Sequence, residues 1–169
     1  MREILFKAKR LDNDEWVEGN LILTPKADED LKAIIIPFDD NGEYTEGVYN
    51  NDLGFEIWYK VDITTICQYT GLTDKNGKKV WENDVLMFHS NKNDLAKACY
   101  GEFYVVDMGS LEKIDSVIGW HYEVMETDAI SKCEPFNISM PLTNDYIKMC
   151  ELEVIGNIFD NPELLEGSE

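Results

Sequence analysis

The sequence predicts a mainly β protein with short helical segments. Three observations carry this: apolar and polar residues alternate with a period of two along several runs, Asp/Asn/Gly clusters separate those runs, and few stretches carry a helix-start signal. An α+β arrangement is the alternative. At 169 residues the chain is long enough for about one domain. It reads as a single unit over 1–169, with possible lobes at 1–66 and 67–169.

At the N-terminal end, Ile4, Phe6 and Ala8 alternate with Leu5, Lys7 and Lys9. After Asp12-Asn13-Asp14, a turn because short polar side chains bond their own backbone, Trp16 to Leu23 returns as the second arm of a hairpin. Pro25 to Lys32, with its acids near the start, is expected to form one or two helical turns, since the helix dipole favours negative charge there. Ala33 to Ile36 before Pro37 is a short β-branched strand, and Asp39-Asp40-Asn41-Gly42 is the turn after it. Phe55 to Val61 puts Phe55, Ile57, Tyr59 and Val61 on one face and reads as one strand. Asn76-Gly77 is a two-residue hairpin signal, because a type I′ turn needs positive φ at both central residues. Glu82-Asn83-Asp84 makes a second tight turn into Val85 to His89. Further strands are expected at Cys99 to Asp107, Val117 to Met125 and Glu151 to Phe159. Asn161 as N-cap and Pro162 at the first helical position start a last short helix toward Leu165.

The charge balance excludes some partners outright. With 34 acids against 15 bases the net charge is −19, so neither nucleic acid nor an anionic membrane surface is an expected partner. No apolar run reaches the ~20 residues of a membrane span, and the opening residues lack a signal-peptide apolar region, which predicts a cytoplasmic protein. The four cysteines, Cys67, Cys99, Cys133 and Cys150, form no Cys-x-x-Cys pair and read as buried free thiols. The charge is uneven, with residues 1–10 carrying +3 and 67–80 carrying +2, against −11 over 11–66 and −13 over 81–169. Lys75, Lys78 and Lys79 thus form a basic island in an acidic field, a place where a second copy of the chain could dock.

Gln68-Tyr69-Thr70-Gly71-Leu72-Thr73-Asp74-Lys75-Asn76-Gly77-Lys78-Lys79-Val80-Trp81-Glu82-Asn83-Asp84-Val85 resembles the Q-Y-T-G-L-x-D-x-x-G-x-x-[IVW]-[YFW]-E-x-D-[IV] stretch of the YopX family of phage and prophage proteins. The opening Met1-Arg2-Glu3-Ile4-Leu5-Phe6-Lys7-Ala8 is similar to that family's start. Glu153-Val154-Ile155-Gly156-Asn157-Ile158-Phe159-Asp160-Asn161-Pro162-Glu163-Leu164-Leu165 is similar to its ending. Asn83 stands where the family usually has Gly, and the acidic stretches from Asp28 to Asp52 and from Ser110 to Asp145 depart from its pattern. The resemblance implies a mainly β fold with a small barrel-like C-terminal part, and a bacteriophage origin. It makes Gln68, Tyr69, Thr70, Gly71, Leu72, Asp74, Asn76, Gly77, Glu82, Asp84, Gly156, Asn157 and Pro162 a structural signature.

Motifs for known chemistry fail on spacing. Five residues separate Gly71 from Gly77 and Lys79 follows Lys78, where a phosphate loop needs four residues and a Ser or Thr. Asp12-Asn13-Asp14 lacks the later ligands of a calcium loop, and His121-Tyr122-Glu123 lacks the Pro-Cys-x-x-Cys half of a deaminase site. With His89 and His121 as the only histidines, a His-rich metal site is excluded. No catalytic residue, cofactor or metal ligand is assigned. The expected function is a non-enzymatic accessory protein that self-assembles or binds a host or phage protein. The alternative is a small metal-dependent hydrolase built on carboxylates, with Glu82 and Asp84 as its best-placed pair.

Overall fold

A computed structural model describes residues 3–24, 32–38, 46–49, 52–55, 57–107 and 109–164, with the backbone alone for 46–49 and 52–54. The chain divides into two units, Met1–Tyr69 and Thr70–Glu169. In the first, β1 (Phe6–Lys9) and β2 (Trp16–Leu23) form the expected hairpin, with Phe6 opposite Gly19 and Lys9 opposite Trp16. Asp14 sits at the turn with φ 61°, a left-handed conformation that Asp tolerates better than most residues. β3 (Ala33–Ile36) pairs with β2, and β6 (Tyr59–Lys60) pairs with β3, so the order is β6-β3-β2-β1, followed by the start of β7 (Cys67–Thr73). Ala8, Val17, Ala33, Ile35 and Val61 form the core of this unit. A separate hairpin joins β4 (Glu46–Tyr49) to β5 (Asp52–Phe55).

The run from Phe55 to Val61 is not one strand. Phe55 ends β5, Ile57 and Trp58 lie outside any strand, and Tyr59–Lys60 joins a different sheet. Alternation was present, but strand identity follows the pairing partner, and the two ends of this run have different partners. The helix expected between Pro25 and Lys32 and the turn at Asp39 to Gly42 lie outside the described residues.

In the second unit, β8 (Lys79–Trp81) lies beside the later residues of β7. The other strands form a five-stranded antiparallel sheet in the order β12-β11-β10-β9-β13, from β9 (Asp84–Met87), β10 (Leu95–Val106), β11 (Lys113–Val124), β12 (Met140–Pro141) and β13 (Glu153–Asn157). Leu86, Ala96, Ala98, Tyr122, Leu152 and Val154 are buried in its core, where the two small alanines leave room for the Tyr122 ring opposite Ala98. The helix α1 (Asn144–Met149) escapes the sequence reading; its cap is the Thr143 hydroxyl, which accepts the Tyr146 N–H at 3.2 Å, and Ile147 is its buried contact. The last expected helix is a single 3-10 turn, Pro162–Leu164.

Candidate functional site

The signature residues gather around two turns and one strand end. Gln68 pairs with Phe6, and the Tyr69 N–H donates to the Leu5 carbonyl at 2.9 Å. Within the second unit, the Thr70 hydroxyl donates to the Val80 carbonyl at 2.7 Å and accepts from the Leu72 N–H, while Gly71 takes φ 84° and Leu72 packs against the core. Asp74 is buried, and its carboxylate accepts three backbone N–H groups. Oδ1 receives Asn76 at 2.8 Å and Lys78 at 2.9 Å, and Oδ2 receives Val154 at 3.0 Å.

That carboxylate corrects the expected turn type. Gly77 has φ 84° but Asn76 does not have positive φ, and the Gly77 N–H donates to the Asp74 carbonyl at 3.0 Å. The geometry is a type I turn over Asp74–Gly77, with glycine in the left-handed position closing a three-residue loop. Asp74 tips the balance, because an Asx-type bond to Asn76 suits a type I turn. At the C-terminal signature, a Cβ on Gly156 would stand 2.3 Å from Asn161 Oδ1, and Asn157 Oδ1 accepts from Phe159 and Asp160. Pro162 opens the final 3-10 turn.

Glu82 and Asp84 sit at the turn into β9. Asp84 is 2% exposed and its Oδ2 accepts the Trp81 N–H at 2.8 Å, while Asn83 takes φ 65°, the conformation that suits the family's glycine. The lysines of the basic island are engaged within their own unit. Lys75 pairs with Glu153 at 2.8 Å, which holds its ammonium above the usual lysine range; Lys78 donates to the Val154 carbonyl, and Lys79 lies over the Trp81 ring.

The least expected arrangement lies on the long β10–β11 hairpin, whose two faces differ. One face carries Ala96, Ala98, Tyr122 and Val124 into the core at its base and then continues outward with Tyr100, Trp120, Glu102, Ile118, Tyr104 and Ser116. On this outer stretch Tyr100 meets Trp120 edge to face at 5.0 Å, Glu102 accepts from the Ser116 hydroxyl, and Lys113 lies over the Tyr104 ring at 3.6 Å. Even so, Tyr100, Tyr104 and Ile118 are 53%, 49% and 73% exposed.

The opposite face carries Lys97, Cys99 and Phe103 against Glu123, His121 and Val117. Cys99 stands directly across from His121, and Lys97 from Glu123. One ligand-type atom each of Cys99, His121 and Glu123 lies within 4.8 Å of the others. His121 is buried and stacked on Phe103 at 4.7 Å; its Nδ1 meets the Gly119 carbonyl at 3.1 Å and its Nε2 faces Glu123 Oε1 at 3.8 Å. Lys97 Nζ holds Glu123 Oε2 at 3.1 Å; burial raises that carboxyl, but Lys97, together with Cys99 and His121, brings it below the usual range. Burial pushes the Cys99 thiol up to about 12. A cavity of about 340 Å³ is lined by Phe103, His121 and Glu123 together with Glu134, Asn137 and Ser139.

All four cysteines are free, but only Cys67 and Cys150 are buried; Cys99 is half-buried and Cys133 exposed, which corrects the expectation for those two. No helix among the described residues is long and apolar enough to cross a membrane. Sequence reasoning dismissed His121 and passed over Cys99, because both were weighed as members of linear motifs. Their proximity is a property of strand register.

No curated protein matches the chain. Among solved structures, the crystal structure of protein EF1440 from Enterococcus faecalis is similar, at 20% identity, with 98% of this chain and 99% of that one covered and a TM-score of 0.51. That likeness concerns the fold. The YopX protein family model matches residues 5–166, taking in the β1–β2 hairpin, both turns around Asp74 and Asp84, and the Gly156–Pro162 end. With start, middle and end all inside one match, the chain belongs to the YopX family.

Proposed function

We propose that this chain is a non-enzymatic protein-binding module that self-associates, with the outer half of the β10–β11 hairpin as its contact. The observation that carries this is the apolar face that leaves the core and runs on into solvent through Tyr100, Ile118 and Tyr104. Beside that stretch no third strand pairs among the described residues, since β9 covers β10 only at 95–97 and β12 covers β11 only at 121–122. A two-stranded ribbon is marginal in water, and its open edges are templates for another strand. A second copy turned by a two-fold axis offers the same ribbon antiparallel, meeting both needs with one self-complementary patch. Lys75, Lys78 and Lys79 support self-association less well, being engaged inside their own unit. The chain's resemblance to a family of phage and prophage proteins supports an accessory role in the cytoplasm of a bacterial host.

Light scattering of the purified chain at ~0.15 M salt tests this directly. A dimer is expected, and Ile118→Asp, at a site already exposed, is expected to return it to a 19.5 kDa species with unchanged thermal stability. A wild-type chain found only at 19.5 kDa up to high concentration overturns the reading. So does a dimer indifferent to Ile118→Asp.

A further inference from the structure

Cys99, His121 and Glu123 converge on the face of the β10–β11 hairpin opposite the apolar one. The Gly119 carbonyl lies 3.1 Å from His121 Nδ1 and accepts the proton that nitrogen carries, which leaves Nε2 as the ring atom facing the Glu123 carboxylate. Nε2 and the Glu123 oxygen face each other across 3.8 Å, too far for a direct hydrogen bond, so the gap suits a bridging donor or a cation. The Cys99 sulfur in the same 4.8 Å cluster selects for a cation that takes sulfur, nitrogen and oxygen together.

We infer that this cluster binds a divalent zinc-class cation through the Cys99 thiolate, His121 Nε2 and a Glu123 carboxylate oxygen. Tetrahedral zinc bonds of ~2.0 to 2.3 Å set ligand atoms about 3.3 to 3.6 Å apart, so the cluster closes by roughly one ångström. The half-exposed Glu123 side chain supplies that movement. Lys97 holds the other carboxylate oxygen and orients the first. On binding, the thiol releases its proton to solvent and the two anionic ligands neutralise the ion. Three protein ligands leave the fourth tetrahedral position to water or to a group in the adjoining cavity, where Glu134 stands. The ion would cross-link β10 to β11 where the exposed ribbon begins. This inference is independent of self-association.

Calorimetric titration of the full chain with Zn²⁺, in ~0.15 M salt with excess Mg²⁺ to occupy the acidic surface, tests it. One ion per chain is expected, and Co²⁺ in its place is expected to show a thiolate-to-cobalt charge-transfer band. Cys99→Ser is expected to abolish the band, and Glu123→Gln to weaken affinity beyond the roughly tenfold that loss of an outer hydrogen-bond partner costs. His121 is buried, so His121→Asn is read only beside a melting curve, while the exposed Glu123→Gln variant keeps the test valid if that one unfolds. No stoichiometric site in the wild type overturns the inference. Binding that survives both Cys99→Ser and Glu123→Gln, or that is lost in Cys133→Ser, overturns it as well.

Discussion

Asp74 and Gly77 show how two residues close one turn by different means. The Asp74 carboxylate is buried with three backbone N–H donors, two from its own turn and one from Val154. Removing it leaves donors without a partner, at about 1 to 3 kcal/mol for each that stays out of water. Asp74→Ala is therefore expected to lower unfolding free energy by about 2 to 4 kcal/mol in a urea titration, with Asp74→Asn losing less because one oxygen remains. Gly77 has no heavy atom within 4 Å of where a Cβ would stand, so its constraint is φ alone. Gly77→Val is expected to cost on the order of 1 to 2 kcal/mol in the same assay, from the penalty on a β-branched residue at positive φ. Gly156 is the contrasting case, because there the obstacle is the Asn161 side chain.

At the scale of elements, the β10–β11 hairpin is two objects end to end. Its base is held by β9, β12 and the core, whereas beyond Tyr100 and Trp120 the two strands pair, among the described residues, only with each other. Hydrogen exchange at low concentration is expected to be fast along the outer stretch and slow at Leu86, Ala98 and Tyr122, with the outer amides gaining protection as the chain dimerises. Alternation made the two strands of this hairpin legible, though not their pairing nor their starts at Leu95 and Lys113, as it did β1–β2 and β13, since a period of two survives whatever surrounds the strand. Which face is covered was not legible, because that depends on partners far away in sequence. The Cys99–His121–Glu123 cluster was hidden by one residue. Counting outward from the Asp107–Glu112 turn would set Cys99 opposite Trp120; the irregularity between Val105 and Val106 shifts the register so that His121 arrives there. A one-residue slip exchanges the faces, so no motif search could have joined these side chains. Helix α1 was missed for a related reason: six residues are too few for a helical period to show, and only the Thr143 cap marked it.

Across the whole molecule the net charge of −19 acts against both compaction and association. Raising ionic strength from ~0.01 M to ~0.15 M shortens the screening length from ~30 Å to ~8 Å. The melting temperature is expected to rise over that range. Light scattering is expected to show dimerisation strengthening as well, since an apolar contact gains when repulsion is screened. A contact built on Lys75, Lys78 and Lys79 would weaken instead, so the sign of the salt effect separates the two surfaces. The bond from Val154 to Asp74 spans 80 positions of the chain, and β9 waits on β13 in the same way. On a ribosome adding ~5 to 20 residues each second, Asp74 emerges roughly 4 to 16 s before the N–H that completes it. During that interval its carboxylate has to stay in water, and β9 presents an open edge to whatever is nearby. Messages cut short before Val154 therefore yield chains whose Gln68–Val85 stretch is fully translated but cannot close.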